Sequence, residues 1–431
     1  MIRSIGIGLC ASALTVLGLA PMAPAAASEG ATVSTGTTVS PNPWPQWQGP
    51  RRDNISTETG LLKQWPPGGP PLLWKAQGLG TGFSTVSIAD GRIYTMGDLQ
   101  DASYLIALDL DGKPVWKAKV GQTGGGQGYP GPRCEPTVAG DAVVALGQFG
   151  DLVCADAKSG AVRWHKNMKE DFDGQMMSGW GYAESPLVDG NNVICTPGGS
   201  KGTMIALDLK SGEPVWRCKE MTDPASYSSI VEATIRGRNQ YIQLTGGHVF
   251  GVAADDGRLL WQAKREGKTA VIPTPIVKDD EVFVTSGYNA GCNLFKITGS
   301  GDKLEAKEVY ANKNMTNHHG GVVLVNGYIY GAKDPGILTC LDFQTGEIKW
   351  KDRSVGKGAV SYADGKLYLR EENSGQMGLI DATPEGYHLI STFDQPDRDK
   401  KYKAWPHPVI ANGRLYLRDQ DVLLCYDIRQ K

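Results

Sequence analysis

The stretch Leu105-Ile-Ala-Leu-Asp-Leu-Asp-Gly-Lys-Pro-Val-Trp116 decides the fold, because the chain repeats it. Leu152 to Trp164 reads Leu-Val-Cys-Ala-Asp-Ala-Lys-Ser-Gly-Ala-Val-Arg-Trp, and Met204 to Trp216 reads Met-Ile-Ala-Leu-Asp-Leu-Lys-Ser-Gly-Glu-Pro-Val-Trp. Val249 to Trp261, with Asp256 and Gly257, and Leu338 to Trp350, with Asp342 and Gly346, follow the same plan. Each copy is an apolar strand, an Asp/Gly turn and a second strand that carries Trp. A repeat of roughly 45 residues with a turn glycine and a tryptophan is the signature of a four-stranded propeller blade. The five Trp residues are expected to fill the wedge between neighbouring sheets. Asp109-Leu-Asp111-Gly112 resembles the start of a calcium loop, but it lacks the downstream ligands and reads as a hairpin turn.

A second repeated strand sets the number of blades. It appears as Gly91-Arg-Ile-Tyr94, Asp141-Ala-Val-Val144, Asn191-Asn-Val-Ile194 and Arg238-Asn-Gln-Tyr241. It returns as Asp280-Glu-Val-Phe283, Gly327-Tyr-Ile-Tyr330, Gly365-Lys-Leu-Tyr368 and Gly413-Arg-Leu-Tyr416. Alternation behind a turn marks a strand, so eight copies predict an all-β, eight-bladed antiparallel β-propeller. Seven blades is the competing count, because Leu294–Tyr310 and Met377–Phe393 lack the Trp. Leu72–Ala76 matches the second half of the repeat and Val422–Asp427 the first half. Pairing them would close the ring and remove its free edges.

Of 431 residues, 44 are Lys or Arg and 46 are Asp or Glu, for a net charge of -2. That balance argues against a nucleic-acid partner. Residues 1–27 read as a secretory signal, with Arg3, an apolar run and Ala25-Ala26-Ala27 before Ser28. Cys10 follows Leu9 where a lipoprotein signal needs a small residue, which disfavours a lipid anchor. Residues 28–43 read as a Ser/Thr/Gly-rich linker, leaving 44–431 for the propeller and no transmembrane segment in the mature chain. The expected location is the cell envelope or periplasm. No C-x-x-C or C-x-x-C-H occurs, and Cys154, Cys340 and Cys425 stand where Ala107 and Ala206 stand in other copies, as small buried side chains.

The pattern Ala-Leu-Asp-x-x-(Ser/Thr)-Gly-x-x-x-Trp resembles the tryptophan-docking repeat of pyrroloquinoline-quinone (PQQ)-type β-propellers, over roughly Leu72 to Lys431. The resemblance implies one of two activities. Quinoprotein dehydrogenases oxidise alcohols or sugars with PQQ and calcium, whereas BamB-like propellers act as binding scaffolds for envelope proteins. The chain has neither the adjacent cysteine pair nor the haem domain of many such dehydrogenases. In plainness it is closer to the scaffold group.

In a propeller, a ligand or partner site is expected where the innermost strands begin. The residues just ahead of the Gly-x-x-Tyr strands are Thr85, Glu135, Glu184, Glu232, Thr274, His318-His319-Gly320-Gly321, Ala359 and His407. Three carboxylates at one rim would repel unless a cation relieved them, so Glu135, Glu184 and Glu232 are candidate metal ligands. Arg133 is the nearest counter-charge, and Lys333, Arg370 and Arg418 follow second strands toward the same face. His318, His319 and His407 are expected opposite the carboxylates, with the adjacent pair pointing to opposite sides. Trp180, Tyr182 and Trp405 offer stacking surfaces. The site residues could hold PQQ and calcium, or another small molecule. A hydrated channel in which these groups satisfy one another through water is the alternative.

Overall fold

The computed structural model describes residues 42–431; the expected signal, the first residues of the linker and Cys10 lie outside them. Eight four-stranded antiparallel sheets follow one another around a ring, and seven blades is ruled out. Each of the first seven is sequential, beginning with Ser87–Ala89, Arg92–Asp98, Ser103–Asp109 and Pro114–Gly121 in blade 1. The eighth consists of Val409–Ala411, Arg414–Asp419, Val422–Asp427 and, on its outer edge, Leu72–Ala76. Leu72 pairs with Tyr426 and Ala76 with Leu423, so the two ends of the repeat region share a sheet as expected.

The core lies between sheets. One buried cluster joins Tyr94 and Leu105 of blade 1, Val143 and Leu152 of blade 2, and Val193 and Ile205 of blade 3. The repeated Trp couples each blade to the next. Trp116 Nε1 donates to Ala157 O (3.2 Å), Trp164 to Leu209 O (2.8 Å), Trp350 to Thr383 O (2.7 Å) and Trp74 to Leu110 O (3.1 Å). The rings of Trp74, Trp116, Trp164 and Trp216 also lie on a turn glycine of the next blade: a Cβ on Gly160, at φ 75°, would sit 2.6 Å from the Trp116 ring. The Gly therefore serves the turn and the neighbouring indole together. Blade 5 lacks the Trp, yet Tyr310 takes its place, with its hydroxyl donating to Phe343 O (2.9 Å). The seven described cysteines are buried and free.

The centre of the ring is filled by the chain itself. Trp44 exchanges backbone hydrogen bonds with Ile88 on the innermost strand of blade 1 (2.8 and 2.7 Å), running antiparallel to it. The segment descends again beside blade 7, where Ile55 pairs in parallel with Tyr362. Both legs reach the turns that follow the innermost strands: on the first, Asn42 N donates to Asn412 Oδ1 (3.3 Å), and on the second, Leu61 N donates to Asp364 and Glu58 accepts from Gly413 N. Residues 44–61 thus form a loop inserted from one face, with Trp44, Gln48, Arg52 and Asn54 almost fully buried. A hydrated channel is therefore not what this fold contains at its axis. Short polar side chains and peptide groups of the loop meet those of the innermost strands, as buried polar groups require.

Candidate functional site

Register decides which rim residues meet. The innermost hairpins turn at Ala139↔Ala142 in blade 2, Asp189↔Asn192 in blade 3 and Ile235↔Arg238 in blade 4. Counted back from those turns, Glu135 is matched by Ser185 and by Val231. Glu184 falls one residue short of the shared position and Glu232 one residue past it. The three carboxylates therefore occupy three different register positions, two of them buried and one exposed. The three glutamates accordingly do not converge, correcting the expected metal cluster. Glu232 is exposed on Val231–Ile235.

Glu135 and Glu184 are nearly fully buried, with Arg52 of the inserted loop as a nearby positive charge that makes no ion pair with either. The Arg52 guanidinium donates to Ser185 O (2.6 Å), Pro186 O (3.2 Å) and Gln46 Oε1 (3.1 Å). Glu135 accepts from Ser87 Oγ (3.1 Å), and Glu184 accepts from Thr196 N and from Gln243 Nε2 (3.4 Å). Burial raises both carboxyls: Glu135 well above its usual range and Glu184 to about 7, against hydrogen bonds from Ser87 and Thr196 and the charge of Arg52. Desolvation lowers Arg52 to about 10, which leaves it charged at neutral pH.

Arg370 and Arg418 are also interior. Arg370 donates to Pro406 O (3.0 Å) and Arg418 O (2.7 Å), while Arg418 donates to Leu79 O and Gly80 O (both 3.1 Å). They fasten backbone rather than face a ligand. Tyr182 is buried with its hydroxyl on Pro197 O (2.9 Å), so it offers no stacking surface.

What does assemble is an aromatic cup of about 250 Å³. Its floor includes Trp47, whose Nε1 donates to Thr274 Oγ1 (2.8 Å). Phe83, Tyr129, Trp180, Tyr227, Tyr288 and Trp405 wall it, joined by Arg133, His318, His319 and His407. Trp405 lies 4.8 Å from Tyr129 and 4.9 Å from Phe83 between ring centroids. Six of the expected site residues therefore share one cavity: Arg133, Trp180, His318, His319, Trp405 and His407. His318 and His319 were expected on opposite sides; they line the same cup because their segment is irregular, not a strand. Trp47, Phe83 and Tyr288 were missed. The density of Trp in Trp44-Pro-Gln-Trp47, outside any repeat, was the available signal for the first.

Hydrogen bonds fix the tautomers. Lys357 Nζ donates to His318 Nδ1 (2.8 Å), so Nε2 carries the proton. His319 Nε2 donates to Glu372 (2.5 Å), which also accepts from Trp405 Nε1 (3.0 Å). His407 Nε2 donates to His319 O (3.2 Å), and Asn54 Nδ2 donates to His407 Nδ1 (3.2 Å). Burial pushes His318 down to about 3 and His407 to about 4, so both are neutral. Burial raises Glu372, but the His319 hydrogen bond, His319 and Lys357 outweigh it and hold the carboxyl near 2. Arg133 donates to Tyr129 O (2.7 Å) and Trp180 O (2.9 Å), its cation over the Phe83 ring at 5.8 Å.

Calcium-bound PQQ does not fit this donor set. Calcium takes six to eight oxygen ligands. The cup is lined by no carboxylate; Glu372, just behind it, is held by His319 Nε2 and Trp405 Nε1, and Glu135 and Glu184 are held by Ser87 and by Thr196 and Gln243. Among the described residues, no group of three or more His, Cys, Asp or Glu could hold a metal ion. The cup can stack and hydrogen-bond a ligand.

A family model described as outer membrane protein assembly factor BamB matches residues 101–352, more than half of the chain. The outer membrane protein assembly factor BamB of Burkholderia pseudomallei is 24% identical over 247 residues, covering 55% of this chain and 59% of that protein. The match thus spans less than two thirds of that relative's length. The factor from Salmonella typhimurium is 22% identical over 352 residues, covering 71% and 76%. Among solved structures, BamB from Moraxella catarrhalis superposes with a TM-score of 0.58 at 15% identity, over 83% of this chain and 99% of that one. Quinohemoprotein alcohol dehydrogenase from Comamonas testosteroni gives 0.63 at 11% identity, over 90% and 81%. At such identities the structures establish the fold that both groups share.

Proposed function

Because the chain belongs to the PQQ-like repeat propeller family described as outer membrane protein assembly factor BamB, we propose that it is an exported, non-catalytic binding propeller of the cell envelope. In this reading residues 1–27 direct export, residues 28–43 link, and the aromatic cup engages an envelope partner. The observation that carries the reading is the state of the axis. The chain's own loop fills it, and the carboxyls of Glu135 and Glu184 are buried in hydrogen bonds to Ser87 and to Thr196 and Gln243, outside the lining of the cup, where a quinoprotein reaction would need calcium ligands or a general base. Above that plug, the rings of Trp405, Phe83 and Tyr129 provide contact area that is already positioned and costs little entropy on binding. No helix among the described residues is long and apolar enough to cross a membrane.

The test places a photo-crosslinking residue at Tyr288, which is exposed at the rim, in living cells. Adducts with defined envelope proteins that are lost when Trp405 is changed to Ala are the expected result. In parallel, the purified protein is titrated with PQQ and calcium while tryptophan fluorescence and dye-linked alcohol oxidation are followed. Saturable, calcium-dependent PQQ binding with dye reduction would overturn the reading in favour of an oxidoreductase.

A further inference from the structure

Arg133 is the unusual charge of the cup. Its guanidinium carries five N–H donors, and two hydrogen bonds join it to protein, both to neutral carbonyls of Tyr129 and Trp180. No carboxylate is in ion-pair contact with it; buried Asp98 acts on it only through space, and burial lowers it to about 10. The other cation at this rim, Lys357, is compensated by Asp334 (2.7 Å) and Glu372 (3.8 Å). A desolvated cation without an anion in contact is costly, and a negatively charged ligand on its free N–H groups would relieve that cost. His318 adds a second donor, since its Nδ1 accepts from Lys357 and its Nε2–H is left free. The cup therefore asks for an acceptor-rich anion.

The walls select its shape. Trp405 is tilted by 32° from Tyr129, 42° from Phe83 and 48° from His319. These rings form a wedge, whereas a flat aromatic ligand needs near-parallel faces to stack on both sides. A puckered saturated ring, with C–H groups on each face and hydroxyls around its edge, follows tilted walls. The volume of about 250 Å³ lies below the ~300–1,000 Å³ of pockets that take drug-sized ligands, which restricts the occupant to about one ring.

We infer that the cup binds an acidic monosaccharide unit of the hexuronate type, its pyranose ring against Trp405, Tyr129 and Phe83, its carboxylate on Arg133 and a hydroxyl on His318 Nε2–H. The inference rests on the reading of the cup as a binding site and supplies its ligand class. Tyr129 and Tyr288 also line the cup.

The test is calorimetric titration of the full chain with D-glucuronate, D-glucose and benzoate. Glucuronate is expected to bind saturably, and glucose at least 10-fold more weakly, because it lacks the charge. Arg133→Gln should weaken glucuronate by about 10- to 100-fold, as loss of a charge-assisted contact does. Arg133→Lys should retain part of the affinity, and His318→Ala, at a partly exposed position, should lose several-fold in a chain with wild-type circular dichroism. Benzoate binding as tightly as glucuronate, or a folded protein that binds no glucuronate, would overturn the inference. If Tyr288 crosslinks envelope proteins while glucuronate fails to bind, the ligand class is wrong and the binding function stands. Failure of both removes the cup as a binding site.

Discussion

Changing Glu184 to Gln should make the protein less sensitive to alkali. In the folded chain this carboxyl is raised from 4.5 to about 7, chiefly by burial, against hydrogen bonds from Thr196 and the charge of Arg52. The native state then holds a proton that the unfolded chain releases near pH 4.5. Unfolding releases protons across that window, so stability falls as pH rises from about 4.5 to about 7. At ~1.4 kcal/mol per pH unit, the loss is about 3 kcal/mol by pH 8. The amide cannot ionise and escapes it. Gln keeps an oxygen for Thr196 N, but its NH₂ would meet Gln243 Nε2, which now donates to the carboxylate at 3.4 Å. That conflict costs about 1 kcal/mol at any pH. Glu135 titrates in both proteins and cancels from the comparison. Urea unfolding followed by tryptophan fluorescence from pH 4.5 to 8.5 should therefore give crossing curves. The variant should be slightly weaker at the acid end and about 2 kcal/mol stronger at the alkaline end. Parallel curves would refute the argument that this carboxyl is held protonated by burial.

Two further perturbations probe the plug and the blade contacts. Arg52→Met leaves Glu135 and Glu184 buried without a cation and should cost about 3–5 kcal/mol at pH 7, measured by denaturant midpoint, with part recovered on adding Glu184→Gln. Trp164→Phe should lose only the hydrogen bond to Leu209 O, about 1 kcal/mol, whereas Trp164→Ala opens the space between blades 2 and 3 and should cost about 3–5 kcal/mol. Equal thermal shifts for the two would mean that the indole does not fill that space.

The ring was legible because its signals are periodic and local. Five blades restate a turn Asp, a turn Gly and a Trp, and the unmatched halves at Leu72–Ala76 and Val422–Asp427 could be read as one sheet. The site was legible only in part. His318, His319 and His407 are legible as residues ahead of the innermost strands, Arg133 as the counter-charge beside them, and Trp180 and Trp405 as aromatics outside the repeat spacing, and the six do meet. The glutamates misled because the loops before the innermost strands differ by one residue in where the hairpin begins. That small difference is enough to leave Glu232 exposed on a regular strand while Glu135 and Glu184 are buried ahead of theirs. Residues 44–61 were opaque for another reason. They have no period of their own, and their conformation is dictated by the innermost strands they pair with, through Ile88 and Tyr362. No reading of the segment in isolation could supply those partners.

The clasp in blade 8 has a mechanical consequence. Leu72, where its first strand begins, lies opposite Tyr426, close to where the last strand ends. Tension applied between the two ends of the repeat region would peel this pair from one edge, rupturing its hydrogen bonds one after another instead of shearing them together. Seven blades would bear none of that load until the eighth had parted. Under pulling, the ring should open as a bracelet does at its fastening, at low force and with its links intact.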